Sequence, residues 1–180
     1  MFDLLGNMKR TDYAEELNIN NVGKQVIVMG WVHRRRDMGN LIFIDLRDVS
    51  GIIQVVFNPE NSTQLHAKAH NLRNEFVIAV KGKVSARPKD MINPDLKTGE
   101  IEITAFELNI LNDSQPLPVQ INENILAEED IRLKYRYLDL RRPQLKEKII
   151  LRHKIILAIR NFLAKHNFYE IETPLLMRST

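Results

Sequence analysis

Cysteine is absent from this sequence of 180 residues, and its absence excludes a disulfide framework and any metal site built from thiolates. No apolar run reaches the roughly 20 residues that an α-helix needs to cross a bilayer. The first residues, MFDLLGNMKRTDY, also lack the basic region and the following apolar run of a secretory signal. These absences predict a protein of the cytoplasm with no membrane partner.

Glycine is scarce, and its distribution limits the chemistry that the chain can perform. All seven glycines lie at or before Gly99, so the second half has no glycine-rich loop for a nucleotide phosphate. No Ser-His-Asp arrangement stands out either. His66 and His70 are four residues apart in a predicted helix, but no acidic residue accompanies them on that face. We therefore predict neither a catalytic residue nor a metal site in this chain.

A large excess of charge of one sign is missing too, because 26 basic residues stand against 23 acidic ones and the net charge is only +3. Any binding of nucleic acid must therefore come from local clusters of basic residues. One such cluster is Arg34, Arg35 and Arg36, which stand just before a turn and a strand that carries Phe43. Cations next to an aromatic ring suit an anionic ligand with flat rings, and nucleic acid has both properties.

The stretch of residues 25–112 predicts a mainly β fold, because apolar and polar residues alternate along it. A helical pattern follows the third strand, with Ser62 or Thr63 as its candidate N-cap. Five strands with a helix in that place are typical of an oligonucleotide-binding (OB) Greek-key barrel, although a five-stranded sheet of another topology fits as well. The predicted strands are 25–35, 40–48, 52–58, 75–88 and 100–112, and the predicted helix is 60–74.

The sequence changes character after the strands, which predicts a hinge and the start of a second domain. That domain begins with an amphipathic helix over residues 143–166, where Pro143 suits the first turn. A short strand over residues 167–176 follows and stops at Pro174. The predicted barrel domain, hinge and second domain are residues 1–112, 113–142 and 143–180.

The period of a strand decides which side chains share a face. On this basis Phe43 in the second strand, Gln54 in the third and Glu102 in the fifth point away from the barrel interior, and Arg34 and Arg36 end the first strand beside them. An outward aromatic ring stacks on an unpaired base for about 1–3 kcal/mol. Glutamine can hydrogen-bond base edges, and arginine contacts phosphates.

Each of these residues has an ordinary interpretation when it is taken alone. Phe43 would then belong to the core, the arginines to a solvated hairpin end, and Glu102 to the solvent side of its strand. Their coincidence on one surface favours binding of an unpaired nucleic acid strand. A carboxylate repels phosphate, but Glu102 can accept a hydrogen bond from the amino or imino group of guanine.

Several long blocks, in the right order and spacing, give this sequence a strong resemblance to the family of bacterial-type aspartyl-tRNA synthetases. The blocks are GWVHRRRDMGNLIFIDLRDVSGIIQVVF, RNEFVIAVKG, TGEIEI and RLKYRYLDLRRP, and the resemblance extends from about Arg10 to Thr180. It implies that the barrel binds the tRNA anticodon, with Glu102 next to the first base. Arg73 and Asn93 are assigned by the resemblance alone. The implied anticodon-binding residues are Arg36, Phe43, Gln54, Arg73, Asn93 and Glu102.

The resemblance also assigns roles to the second half of the chain. The hinge is implied to contact tRNA through Arg136, Arg141 and Arg142. The segment after it resembles motif 1 of the class II synthetases, which builds their homodimer interface. Motifs 2 and 3 and the aspartate-binding residues do not occur, so we expect an N-terminal fragment, ending just after motif 1, that binds tRNA without aminoacylating it. The implied interface residues are Ile156, Ile159, Leu163 and Pro174.

The complete enzyme of this family is expected to activate aspartate with ATP and Mg²⁺ and to transfer it to the aspartate tRNA. Whether it also charges the asparagine tRNA stays open, and DNA is not expected as a partner. Two alternatives remain. One is a fragment of an asparagine or lysine tRNA ligase, and the other is a free-standing OB-fold protein that binds single strands. The motif 1 segment argues against the second alternative, because such a protein has no use for part of a dimerisation unit.

Overall fold

The fold is described from a computed structural model that covers residues 2–119, 121 and 128–176. It divides into two compact units, Met1–Pro116 and Leu117–Thr180. The first unit contains strands β1 to β5 and helix α1, which are Gln25–Met38, Leu41–Arg47, Ile52–Phe57, Val77–Ala86, Ile101–Asn112 and Thr63–His70. The second unit contains helices α2, α3 and α4, which are Glu129–Lys134, Arg136–Asp139 and Pro143–Lys165.

The strands close into a barrel in the spatial order β1-β2-β3-β5-β4, and β4 pairs back onto β1. Neighbouring strands are antiparallel except β3 and β5, which are parallel where Val55 lies beside Ile103. Helix α1 follows β3, and the Ser62 hydroxyl caps it by accepting from the N–H of Leu65. The predicted OB fold is therefore confirmed, and the sheet of another topology is excluded.

Alternate residues of each strand fill the barrel interior. In β2, Ile42, Ile44 and Leu46 are at most 2% exposed, whereas the residues between them are only partly buried. Burying an aliphatic side chain of this size contributes roughly 1.5–3 kcal/mol. The predicted faces of β2 are confirmed, and Phe43 lies on the outside of the barrel.

Two turns connect β2 to the strands before and after it. The β1–β2 hairpin turns at Gly39, whose φ of +63° costs glycine no steric strain. Oδ1 of Asp48 fixes the β2–β3 turn by accepting hydrogen bonds from the N–H groups of Ser50 and Gly51 at 2.7 and 3.1 Å. Oδ2 of Asp48 accepts from the N–H of Ala14 at 2.8 Å. One carboxylate thus shapes the turn and also attaches the N-terminal segment to the barrel.

Strand β1 continues three residues beyond its predicted end and contains a β-bulge. Its register with β2 slips by one residue at His33, and a bulge of this kind re-aims the side chains that follow it. Without the slip, Arg34 and Arg36 would continue the buried alternation that ends at Val32. With it, Arg36 pairs with Phe43 on the outer face.

Side chains from β2 and from the segment before β4 hold the bulge in place. Arg47 donates to Nδ1 of His33 at 3.0 Å and to Oε2 of Glu75 at 2.7 Å. Glu75 has a left-handed φ of 65°, and its N–H donates to the Val32 carbonyl at 2.7 Å. Burial and the charge of Arg47 lower the pKa of His33, so the ring is a neutral acceptor at neutral pH.

The second unit is dominated by α4, which agrees with the predicted helix to within one residue and has Pro143 in its first turn. The strand predicted after α4 does not form: none of residues 167–176 is in a strand. A strand needs a hydrogen-bonding neighbour, and the described residues supply none. Among the helices described, none is long and apolar enough to cross a membrane.

Replacing Gly30 by alanine should destabilise the barrel. A Cβ at this position would lie 2.2 Å from the carbonyl oxygen of Arg47, and a backbone atom of a paired strand cannot turn aside. We expect the free energy of unfolding, measured by urea denaturation, to fall by about 1–3 kcal/mol, the usual cost of overpacking.

Gly51→Ala is the matched control for this substitution. Its Cβ would also meet an atom at 2.2 Å, but that atom belongs to the Glu15 side chain, which can rotate away. Equal unfolding free energies for the two variants would contradict the argument from the backbone clash.

Candidate nucleic-acid interface

A continuous polar network crosses the outside of the barrel from β1 to β5. Nη2 of Arg36 donates to Oδ1 of Asp45 at 2.6 Å and to Oε1 of Gln54 at 3.1 Å. Nε2 of Gln54 donates to Oε2 of Glu102 at 2.8 Å. Phe43 pairs with Arg36 across the two strands, so its ring borders this network. These five residues are called the outer-face cluster.

The outer-face cluster brings together four of the predicted binding residues, and one of them differs from the prediction. Gln54 lies on the outer face as expected, yet it is only 6% exposed. Its amide oxygen and nitrogen are both hydrogen-bonded, to Arg36 and to Glu102. A satisfied buried amide has a fixed orientation, so Gln54 holds its two charged neighbours in place.

Glu102 lies in an environment that disfavours its charged form. Burial raises the pKa of its carboxyl, and the hydrogen bond from Gln54 and the charge of Arg87 offset only part of this rise. A ligand that donates N–H groups to the carboxylate would stabilise its charged form. This property suits the predicted position of Glu102 beside a base.

Two charged residues of this surface were not among the predicted site residues. Asp45 forms an ion pair with Arg36, and the alternation of β2 had indicated only that it points outward. Arg87 follows β4 and is 8% exposed, and its Nε donates to the Ile101 carbonyl at 2.8 Å. The period of β4 places Arg87 on the outer face, but only the pairing with β5 brings it near Glu102.

Three other predicted residues lie outside the outer-face cluster. Arg34 is exposed. Arg73 is exposed as well and lines a shallow hollow with Arg35 and Asp37. Oδ1 of Asn93 accepts from the N–H two residues on, at 3.0 Å, and so shapes the loop before β5. In the part of the chain that is described, no side-chain hydrogen bond links these three to the cluster, and their contact with tRNA stays a prediction.

The predicted hinge arginines gather around one carboxylate. Asp139 is fully buried and accepts hydrogen bonds from Arg132, Arg136 and Arg142 at 3.1, 2.9 and 3.3 Å. Burial by itself would raise the pKa of Asp139, but the bonds from Arg132 and Arg142 lower it overall. The Arg136 side chain is 51% exposed and that of Arg142 only 6%. The tRNA contacts of Arg136, Arg141 and Arg142 stay predictions.

Helix α4 presents apolar side chains on its surface. The predicted interface residues Ile156, Ile159 and Leu163 are 36%, 54% and 41% exposed, and Pro174 is exposed too. An apolar surface of this kind is typical of a region that packs against other protein.

Comparison with known proteins places both units in families. Residues 26–111 match the model of the OB-fold nucleic acid binding domain, and residues 128–180 match that of the class II tRNA synthetases (D, K and N). The aspartate–tRNA(Asp/Asn) ligase of Desulfotalea psychrophila is 55% identical over the whole chain, and that of Halothermothrix orenii is 52% identical. The chain spans 30% of the length of each of these relatives.

Solved structures of synthetases resemble the chain as well. The asparaginyl-tRNA synthetase from Pyrococcus horikoshii complexed with asparaginyl-adenylate has a TM-score of 0.78 and 26% identity, over 93% of this chain and 37% of that one. The aspartyl tRNA synthetase from Entamoeba histolytica has a TM-score of 0.83, over 96% of this chain and 40% of that one. Its 23% identity makes this second likeness one of fold alone.

Replacing Glu102 by glutamine should stabilise the protein at neutral pH. The folded-state pKa of Glu102 lies above the ordinary glutamate value of 4.5, so the contribution of Glu102 to stability is lost as pH rises from 4.5 through the folded pKa. Glutamine does not titrate and can still accept from Gln54. We expect the advantage of Glu102→Gln in unfolding free energy to grow over that pH range, as urea denaturation at a series of pH values would record.

The matched control is Glu107→Gln, on the same strand but at an exposed position. An advantage of Glu102→Gln that does not change with pH, or a loss of stability at neutral pH, would contradict the role of burial.

Proposed function

Since the chain belongs over its whole length to the family of aspartate–tRNA ligases, we propose that its barrel binds the anticodon of a tRNA. The observation that carries this proposal is the outer-face cluster, in which the partly exposed ring of Phe43 borders a line of hydrogen-bonding side chains. OB barrels bind oligonucleotides on the face of their second and third strands, and Phe43 and Gln54 stand on those strands.

The geometry supports binding in three physical ways. Phe43 stacks on an unpaired base, which contributes about 1–3 kcal/mol. Arg36 and Glu102 are positioned by Gln54 and meet the donor and acceptor groups of base edges. Arg34 is exposed beside them and neutralises a phosphate of the backbone, which adds affinity that salt weakens.

The bound tRNA is proposed to be the aspartate tRNA, whose anticodon is G-U-C. The curated relatives carry both aspartate and asparagine in the tRNA part of their names, so the asparagine tRNA is a second candidate. The hinge arginines around Asp139 are proposed to contact the same tRNA through its phosphates, chiefly by way of the half-exposed Arg136.

The complete enzyme is proposed to activate aspartate with ATP and Mg²⁺ and to transfer it to the tRNA in the cytoplasm. Among the residues that the structure describes, no three or more His, Asp or Glu side chains group around a possible metal position. No step through ATP or Mg²⁺ is therefore assigned to this chain. We expect the 180 residues alone to bind tRNA and to show no aminoacylation.

A homodimer of the complete enzyme is proposed to form through α4 and the segment after it. The support is the exposure of Ile156, Ile159 and Leu163, which α4 leaves uncovered within its own unit.

The proposed function predicts that this chain distinguishes anticodon bases. In fluorescence anisotropy at fixed moderate salt, a stem-loop with the G-U-C anticodon should bind more tightly than stem-loops changed at one anticodon base. Phe43→Ala should weaken binding by about 1–3 kcal/mol, because one stacked base loses its platform, and should reduce the discrimination between bases.

Phe106→Ala is the matched control, since Phe106 is an exposed aromatic residue on β5 that lies outside the outer-face cluster. It should leave both affinity and discrimination unchanged. Equal affinity for all stem-loops, with salt as the one variable that matters, would refute anticodon binding and indicate a barrel that binds phosphates without sequence preference.

A further inference from the structure

The bulge in β1 gives this strand one more residue than its neighbour β2 has to pair with it. Val32 pairs with Leu46 and Arg34 pairs with Asp45, so His33 is the extra residue. A bulged residue is left out of the ladder of backbone hydrogen bonds, and its position depends on other contacts. The direction of every later side chain in β1 therefore depends on what holds His33.

Arg47 of β2 holds the extra residue from the side. Its guanidinium lies between two acceptors and donates to Nδ1 of His33 at 3.0 Å and to Oε2 of Glu75 at 2.7 Å. The side chains of Arg47 and Glu75 are only 18% and 11% exposed, so solvent screens their ion pair weakly. We call His33, Arg47 and Glu75 the bulge clamp.

Glu75 joins the bulge to the segment before β4. Its φ of 65° lies in the left-handed region, which is costly for a residue with a side chain and persists where the surroundings enforce it, often at functional sites. The N–H of Glu75 donates to the Val32 carbonyl at 2.7 Å, and the N–H of Val32 donates to the Phe76 carbonyl at 2.9 Å. The bulge clamp thus connects three segments of the chain at one point.

Arg36 lies three residues beyond the extra residue and depends on it for its direction. It pairs with Phe43 on the outer face, whereas the alternation that ends at Val32 would have placed it on the inner face. We infer that the bulge clamp sets the affinity of the barrel for tRNA by holding Arg36 in the outer-face cluster. The three residues of the clamp are positioning residues, and the inference rests on the proposed anticodon binding.

His33 makes the bulge clamp sensitive to pH. Arginine has no acceptor, so Nδ1 of His33 accepts from Arg47 and must carry no proton. Burial and then the charge of Arg47 lower the pKa of His33; of the other charged groups that face it, Asp45 and Glu75 oppose the shift and Arg34 adds to it. The clamp is therefore intact above the ordinary histidine pKa of 6.5 and is lost as pH falls from 6.5 through the folded-state pKa.

Two substitutions of His33 test the inference. His33→Asn keeps an acceptor for Arg47, because Oδ1 of asparagine and Nδ1 of histidine are both bonded to Cγ, but it does not titrate. His33→Leu has no acceptor. In fluorescence anisotropy with the G-U-C stem-loop at neutral pH, we expect His33→Asn to bind like the unaltered chain. His33→Leu should bind roughly 10-fold more weakly, as when one hydrogen bond to a charged group is lost.

A pH series tests whether protonation of His33 releases the clamp. The ratio of the affinity of His33→Asn to that of the unaltered chain should rise as pH falls below 6.5, since only the unaltered chain loses its acceptor. The series continues through the midpoint of the His33 titration, which the ring proton signals record in NMR spectra. Glu102 and the anticodon bases titrate alike in both chains, so their effects cancel in the ratio.

A double-mutant cycle separates positioning from a general loss of stability. With Arg36→Met as the background, His33→Leu should cause no further loss of affinity, because the contact that it misaligns is already gone. Arg47→Lys has a single ammonium in place of the fork of donors, and it should behave like His33→Leu. Urea denaturation of each variant checks that it is folded under the binding conditions.

Three results would overturn the inference. They are equal affinity of a folded His33→Leu and the unaltered chain, an affinity ratio of His33→Asn to the unaltered chain that stays constant through the titration of His33, and a full loss of affinity from His33→Leu in the Arg36→Met background. In each case the unaltered chain would still distinguish anticodon bases. An unaltered chain that distinguishes no base would instead overturn the anticodon binding proposed above.

Discussion

The pairing of β1 along both of its edges is the constraint on which the barrel depends. β1 bonds to β4 over residues 25–31 and to β2 over residues 31–38, so it closes a sheet that would otherwise have two open edges. The bulge at His33 lies where β1 passes from the first partner to the second. Because the bulge also shifts the alternation of side chains, barrel closure and the outward position of Arg36 have the same local cause.

The outer face of the barrel holds polar and charged side chains that are partly or almost entirely buried. Gln54 is almost entirely buried among charged groups, burial raises the pKa of Glu102, and in the described part of the chain Nη2 of Arg87 has no hydrogen-bond partner. The burial of Glu102 and the unpaired donor of Arg87 lower stability in the unbound protein. Proteins depart from the rules of stable packing mainly at functional sites, and here the departures meet on one surface. The apolar interior of alternate aliphatic residues supplies the stability that offsets them.

The second unit is organised by a different interaction. Asp139 accepts hydrogen bonds from Arg132 in α2, Arg136 in α3 and Arg142 just before α4, and this buried charge cluster links the three helices. Helix α4 follows with its apolar residues exposed. Its 23 residues contain good helix formers and a proline in the first turn, so its helical form follows from local preference, while the burial of its surface requires other protein.

The sequence alone determined the features that depend on residues close together in the chain. The alternation of side chains along a strand predicted which residues of β2 face inward. Phe43 was therefore predicted on the outside of the barrel, together with Gln54 and Glu102. The turn at Gly39, the cap at Ser62 and helix α4 follow from local chemistry in the same way. Tertiary structure decided the slip at His33, the burial of Gln54, the approach of Arg87 to Glu102 and the absence of a strand after α4. These depend on which strands lie side by side and in what register, and such contacts join residues far apart in the chain, where no local pattern can specify them.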